Sequence, residues 1–196
     1  MTASHDVSPL YEFVYRGLLT EEALDIAGRT SRYTAPMELS EITQSLSLEL
    51  FEDEFIGPAQ LMSIVYMAIA AFENSVRRFV YKVLIDKYGE NWWEQGVSAK
   101  IRTFAEERRA EEEKTKWHGT RGEDLLSYTE LKHLPDIISQ NWDEFEPYVR
   151  RQEWAVSIFA VLERSRNIIM HSGVLELSDV ERLGINMRDW NKQVGL

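Results

Sequence analysis

Apolar residues recur along much of this chain at steps of three and four, the spacing that lines one face of an α-helix. The clearest run lies between Gly57-Pro58 and Gly89, where Leu61, Val65, Ile69, Phe72, Val76, Phe79 and Val83 share one stripe. It predicts a helix of about 30 residues, roughly 45 Å long at 1.5 Å per residue, with Gly89 as its stop. A second amphipathic helix starts at Ser98 with Ile101, Phe104 and Ala105, then dissolves into the mixed charges of Glu106 to Lys116. Thr115 to Asp124, with two glycines, reads as a surface loop. Short helices follow, broken at Pro135 and near Asn141. The last long helix is expected after Pro147, with Trp154, Ile158, Val161, Leu162 and Ile168 on its apolar side and Ser172-Gly173 at its end. Ser178 is expected to cap a short helix closed by Gly184, and Asn186 to open a terminal one containing Trp190. Near the N-terminus, Ser8-Pro9 and Thr20 mark two helix starts, and Arg29 to Pro36 reads as a loop. Ser45 to Phe51 alternates at a strand period, but its neighbours favour helix, and helix is the reading taken. The fold class is all-α.

Composition adds bounds to this pattern. At 196 residues, 44% of them apolar and 28% charged, the chain suits one folded domain with an appended subdomain. It has no cysteine, which removes disulfides, thiolate nucleophiles and zinc–sulfur sites and fits a reducing, cytoplasmic setting. No apolar run follows a basic stretch at the start, so a signal peptide is not expected. No segment reaches the roughly 18 uninterrupted apolar residues of a membrane span, so no membrane partner is expected either. The net charge of −11 argues against indiscriminate nucleic-acid binding, although a local basic cleft can exist in an acidic chain.

The familiar enzyme signatures are missing. His5, His118, His133 and His171 have no partners at helical metal spacing, and there is no glycine-rich phosphate loop or nucleophile elbow. Neither a metal nor an organic cofactor is therefore expected. What remains is the segment from Leu162 to Gly173, where Arg166, Asn167 and His171 lie within six residues. Asn167 and His171 are i,i+4 neighbours on one face. Arg166 and His171 are about 140° apart on a straight helix, whereas Arg164 shares the His171 face. Either the long Arg166 side chain bends around, or the site is assembled where two such helices meet.

This trio suits phosphoryl transfer on RNA. Histidine can take a proton from a ribose 2′-hydroxyl or give one to the leaving 5′-oxygen. Arginine forks onto phosphate oxygens as charge builds, and an asparagine can orient the imidazole. RNA carries its own nucleophile, so the product would be a 2′,3′-cyclic phosphate and DNA would be inert. The residues also admit a structural reading, since histidine suits the last turn of a helix and arginine commonly flanks a buried stripe with its head in water.

The segment from Arg166 to His171 resembles the signature of the HEPN superfamily: arginine, a polar residue, then histidine after four intervening positions. The wider pattern is similar to one HEPN branch, found in a eukaryotic transcript-surveillance endoribonuclease and in bacterial relatives. The matching landmarks are Glu73 and Arg77, Tyr88 to Trp93, Trp117, Leu126 to Thr129, Ile137 to Asp143 and Asp189-Trp190. They span roughly residues 58 to 196. The resemblance implies a HEPN-type helical bundle over residues 57–196; residues 1–56 lie outside it and read from their own composition as an acidic, mainly helical extension. It also implies a homodimer through the motif-bearing helices, whose two motifs form one composite ribonuclease site with Arg166, Asn167 and His171 as catalytic residues. Residues 147–172 carry Arg150, Arg151, Arg164 and Arg166 against Glu153 and Glu163, so this helix is net basic and pairing would double its potential. Gly173 stands where some HEPN toxins carry a modifiable tyrosine, so that route of neutralisation is not supported.

Glu73 and Arg77 read first as a helix-stabilising pair of the exposed kind, worth about 0.3–0.5 kcal/mol. In relatives, polar residues of this helix line the cleft, which makes Glu73 and Arg77 candidate lining residues, and Arg164, on the His171 face of the last long helix, is a third. Trp92, Trp93, Trp142 and Trp154 read as core or interface anchors, and His118 and His133 as incidental. The leading functional expectation is a metal-independent endoribonuclease serving as a toxin or antiviral-defence effector, with RNA as substrate and an antitoxin or defence protein as partner. A catalytically idle HEPN dimer acting as a binding or assembly module is the alternative. A regulator binding nucleotide at the Arg–His cleft is a third reading.

Overall fold

The computed structural model describes residues 39–195, and the expectations at Ser8-Pro9, Thr20 and residues 29–36 lie outside them. The chain divides into two units, residues 1–51 and 52–196. Of the first, the described part holds a short helix α1 (Leu39–Ser45) and a single 3-10 turn, Leu48–Leu50. The stretch from Ser45 to Phe51 is thus neither strand nor continuous helix. Ser47 adopts a left-handed conformation (φ 49°), which breaks the helix between the two.

The second unit is built around α2 (Asp53–Tyr88), 36 residues long. It begins a turn earlier than Gly57-Pro58 because Glu52 is extended, its carbonyl accepts from the Phe55 and Ile56 amides, and Asp53 and Glu54 complement the helix dipole. It ends at Gly89, whose φ of 58° favours glycine and whose amide donates to the Ile85 carbonyl. Then come α3 (Trp92–Gly96), α4 (Ala99–Glu113), a 3-10 turn (Leu125–Tyr128), α5 (His133–Gln140), α6 (Trp142–Val149), α7 (Gln152–Met170) and α8 (Leu177–Val194). No strand occurs among the described residues. The fold is an all-α helical bundle.

The core forms where α2 meets α5, α6 and α7, with α8 laid across α6 and α7. Phe72, Val76, Phe79, Val80, Val83 and Leu84 are buried along α2. Trp190 of α8 is fully buried and packs edge-on against Phe72, Phe79 and Phe159 while Trp154 stacks on it. Asn141, between α5 and α6, ties the far end together: its amide donates to the Gly96 and Ile137 carbonyls (2.7 and 2.8 Å), and its oxygen accepts from the Tyr88 hydroxyl (3.0 Å).

Several expectations are corrected by this packing. The expected stripe fails at Leu61, which is 63% exposed, because the N-terminal part of α2 runs past the core and only Met62 and Val65 turn inward there. Helix α4 continues through its charged run to Glu113, braced by the i,i+4 pair of Arg109 and Glu113. Pro135 does not break α5; it sits in the first turn, where its missing N–H has no helical partner to lose. Pro147 lies inside α6, and the break comes at Arg150, which takes a positive φ of 63° before α7 starts. Gly184 and Asn186 do not divide the last helix, which begins after the extended Glu176 and runs unbroken. Glycine costs about 1 kcal/mol mid-helix, and burial of Leu183, Trp190 and Val194 on one face outweighs it. Ile168 is 38% exposed and is not part of the core face of α7.

The expectation that no segment is apolar enough for a membrane span is also corrected. Among the described residues, one helical stretch (Asp53–Gly96) qualifies by length and composition alone, and just 22% of its most apolar window is buried. Residues 55–72 contain no charged side chain, and Phe55, Leu61, Ile64 and Met67 of this part lie exposed.

Candidate functional site

The Arg–Asn–His segment occupies the last turn of α7, and its geometry follows from how that helix stops. His171 is the residue at which helical dihedrals end (φ −101°, ψ 26°). Ser172 swings into the left-handed region (φ 61°), and the amides of Ser172 and Gly173 turn back to the carbonyls of Ile169 (3.0 Å) and Ile168 (2.8 Å). This is a Schellman closure. It needs glycine at position 173, since a Cβ there would lie 2.6 Å from the Ile168 side chain and 2.8 Å from its carbonyl oxygen. The chain thereby leaves the helix axis immediately after His171, and the imidazole stands exposed at the tip.

Two recesses flank this tip. On one side Asn167, His171 and Arg164 line an open groove of about 580 Å³ together with Ala160, Glu163 and Ile168. On the other, Arg166 enters a polar cleft of about 320 Å³ between α2, α4 and the 3-10 turn. Within one chain, the structure therefore brings Asn167 and His171 together with Arg164 and places Arg166 apart from them. The division is the helical geometry itself, with positions five apart on different faces.

Glu73 anchors the second cleft. Its side chain is 11% exposed, and its carboxylate accepts from Arg77 Nη2 at 2.5 Å and lies 3.9 Å from Arg166 Nε. Arg77 also donates to the Thr129 carbonyl (3.0 Å) and to Asn74 Oδ1 (3.3 Å). The pair is thus part of a semi-buried network rather than an exposed helix brace, and its burial follows from packing against the 3-10 turn, which sequence spacing does not register.

Arg108 and Arg121, which sequence reasoning missed, line the same cleft. Arg108 reaches Glu130 (3.2 Å) and lies over the Phe104 ring, 4.8 Å from its centroid. Arg121 pairs with Glu112, whose other oxygen accepts the Arg121 amide (3.1 Å), and the Tyr128 hydroxyl pins the loop through the Gly122 carbonyl (3.1 Å). Burial, then the neighbouring charge of Arg108, holds the Arg121 guanidinium below its ordinary value. Lys132 bonds to Glu130 and keeps that carboxylate below its usual range against the opposing effect of burial, helped by Arg108 and His133. No signal in the sequence joined these arginines, because they sit on a charged helix and a glycine-rich loop.

His133 is buried with its ring against Phe104 (4.8 Å), and Nδ1 accepts from the Glu130 amide (3.1 Å). Burial pushes its pKa down. It is a structural residue, and His118 lies exposed in the loop with Nδ1 near the Gly119 carbonyl. Among the described residues, no three His, Asp or Glu side chains gather as metal ligands would. Trp93 is buried and Trp92, Trp142 and Trp154 pack half-buried on the core, whereas Trp117 is exposed.

Comparison with known proteins adds one finding. Curated proteins and solved structures each yielded no match to the chain. A family model described as Swt1-like HEPN matches residues 67–195, from the middle of α2 to the end of α8. That span contains the Schellman-closed helix tip, the Glu73–Arg77 network and, apart from Tyr66, the lining of both recesses, and the chain belongs to the Swt1-like HEPN family.

Proposed function

We propose that the chain is a metal-independent endoribonuclease whose site is completed by a second copy. HEPN domains as a family are associated with RNA cleavage. The observation that carries the reading is the division at the tip of α7, with imidazole and amide on one side and guanidinium on the other. Two copies meeting at these tips would bring the Arg166 side of one toward the His171 side of the other. The exposed apolar part of α2 supports such a meeting, because Tyr66 lines both the Arg166 cleft and an apolar groove that runs to Met170, Gly173 and Val174.

In this site one His171 imidazole accepts the proton of the ribose 2′-hydroxyl, whose oxygen attacks the adjacent phosphorus. The second copy's His171, protonated, delivers a proton to the departing 5′-oxygen. Arg166 neutralises the non-bridging oxygens as negative charge accumulates, and Asn167 orients the imidazole beside it. The products are a 2′,3′-cyclic phosphate and a 5′-hydroxyl. Residues 57–196 carry the activity, residues 1–56 form an extension, and the setting is a toxin or defence system in which a partner restrains or triggers the enzyme.

The test is cleavage of single-stranded RNA by purified protein in EDTA, with the 3′ ends identified chemically. His171→Ala and Arg166→Ala should each abolish cleavage by a factor of about 10² or more, while light scattering still reports a dimer. Equal cleavage of DNA, or full activity in the His171 variant, would overturn the mechanism. A dimer that binds RNA without cutting it would mark a binding module instead.

A further inference from the structure

The Arg166 cleft holds more positive charge than its own carboxylates can offset. Glu73 is shared by Arg77 and Arg166, Glu130 by Arg108 and Lys132, and Glu112 pairs with Arg121. Four arginines (Arg77, Arg108, Arg121 and Arg166) and two carboxylates (Glu73 and Glu130) line the cleft itself, in a chain whose net charge is −11. The excess is built in: Arg108 is steadied by Phe104 and Glu130, and Arg121 by Glu112 and the pinned loop. Arg108 and Arg121 are thus held ready, with little side-chain freedom left to lose on binding.

We propose that Arg108 and Arg121 form a phosphate subsite for the RNA strand, gripping a backbone phosphate next to the one that Arg166 meets. This rests on the ribonuclease reading for the identity of the strand. A phosphodiester fits better than a carboxylate ligand because guanidiniums fork onto its two free oxygens and its charge meets the local excess. The lining that remains, Asn74, Ser127 and the Thr129 backbone, is polar, with Ala70 and the Tyr66 ring contributed by α2. Guanidiniums on phosphate grip backbone and carry no sequence information, so Arg108 and Arg121 leave base choice to other side chains.

The experiment measures binding of a labelled, uncleavable 2′-O-methyl oligonucleotide to the full-length chain by anisotropy across a salt series. Each phosphate contact on a single strand contributes about 0.7 to the slope of log affinity against log salt. The double variant Arg108→Gln/Arg121→Gln should lose affinity on the order of tenfold, and its slope should fall by about 0.7, the share of the one phosphate they grip. Arg109→Gln, on the same helix but outside the cleft, should change neither, and Glu112→Gln should tighten binding. An unchanged slope in the double variant, or an equal loss in Arg109→Gln, would overturn the subsite. So would competition by a mononucleotide as effective as the oligonucleotide, which would make the cleft a nucleotide pocket. Because the probe cannot be cut, a slope change without cleavage by the wild type would sustain the subsite and sink the enzyme. Normal cleavage with an unchanged slope would do the reverse.

Discussion

The Glu73–Arg77 pair offers a quantitative test of the cleft, because two readings of the same residues differ several-fold in energy. An exposed i,i+4 pair contributes about 0.3–0.5 kcal/mol. In the structure the two side chains are 11% and 17% exposed and meet at 2.5 Å, and Arg77 also donates to the Thr129 carbonyl. A charged hydrogen bond this sheltered contributes about 1.5–3 kcal/mol. Replacing each residue by methionine, singly and together, closes a double-mutant cycle with little change in length. Arg77→Met strands Glu73 in a poorly hydrated position with only Arg166, 3.9 Å away and partly in water, to compensate. That variant should lose about 2–4 kcal/mol, somewhat under the cost of breaking a fully buried pair. Glu73→Met should lose less, since Arg77 keeps Thr129 and Asn74 as acceptors. The double variant should then be more stable than the two losses added together, by the coupling energy. The assay is urea unfolding followed by circular dichroism at neutral pH, with equal m-values required across the cycle. A coupling of about 0.5 kcal/mol or less would show the pair to be the surface brace that spacing alone suggests, and the semi-buried cleft built on it would fall.

Two further predictions concern the scaffold. Asn141→Ala removes three hydrogen bonds and leaves the Gly96 carbonyl without its side-chain donor, so it should cost about 2–3 kcal/mol in the same assay, against about 1 kcal/mol for Tyr88→Phe, which removes one. Equal losses would mean that the network does not join α3 to the α5–α6 junction. His133 makes stability depend on pH: its folded pKa lies below the unfolded value of about 6.5, so the unfolded chain binds the extra proton. Its contribution is whole above that pH and is lost as pH falls toward and through the folded value, where the proton also displaces the Glu130 amide from Nδ1. Between pH 7 and 5, roughly the range of histidine titration, wild type should therefore lose more stability than His133→Asn, and parallel curves would refute the assignment.

How much of this was legible beforehand depended on whether the signal was local. The break at Ser172-Gly173 was readable because helix termination is a matter of two or three residues and their dihedrals, and the separation of Arg166 from His171 followed from 100° per residue. The order of α2, α4 and α7 came from periodicity for the same reason. Where local signals conflicted with packing, they misled. Gly184 looked like a stop, yet the buried face running from Leu183 to Val194 holds α8 in one piece.

Other features had no local signal at all. Leu61 and Ile69 carry the same hydrophobic label, but where α2 leaves the core depends on what the other helices cover, and Leu61 is exposed while Ile69 is fully buried. Arg108, Arg121 and Arg166 come from a helix, a loop and another helix, and only the tertiary fold brings them to one cleft. The chain on its own determined its long helices, the stops at Gly89 and at Ser172-Gly173 and the chemistry offered at the tip of α7, because these are set within a few turns of backbone. Which faces are buried, which charges are crowded together and which carboxylate answers them were decided by tertiary packing, because solvation and Coulomb energy depend on distance through space rather than along the chain.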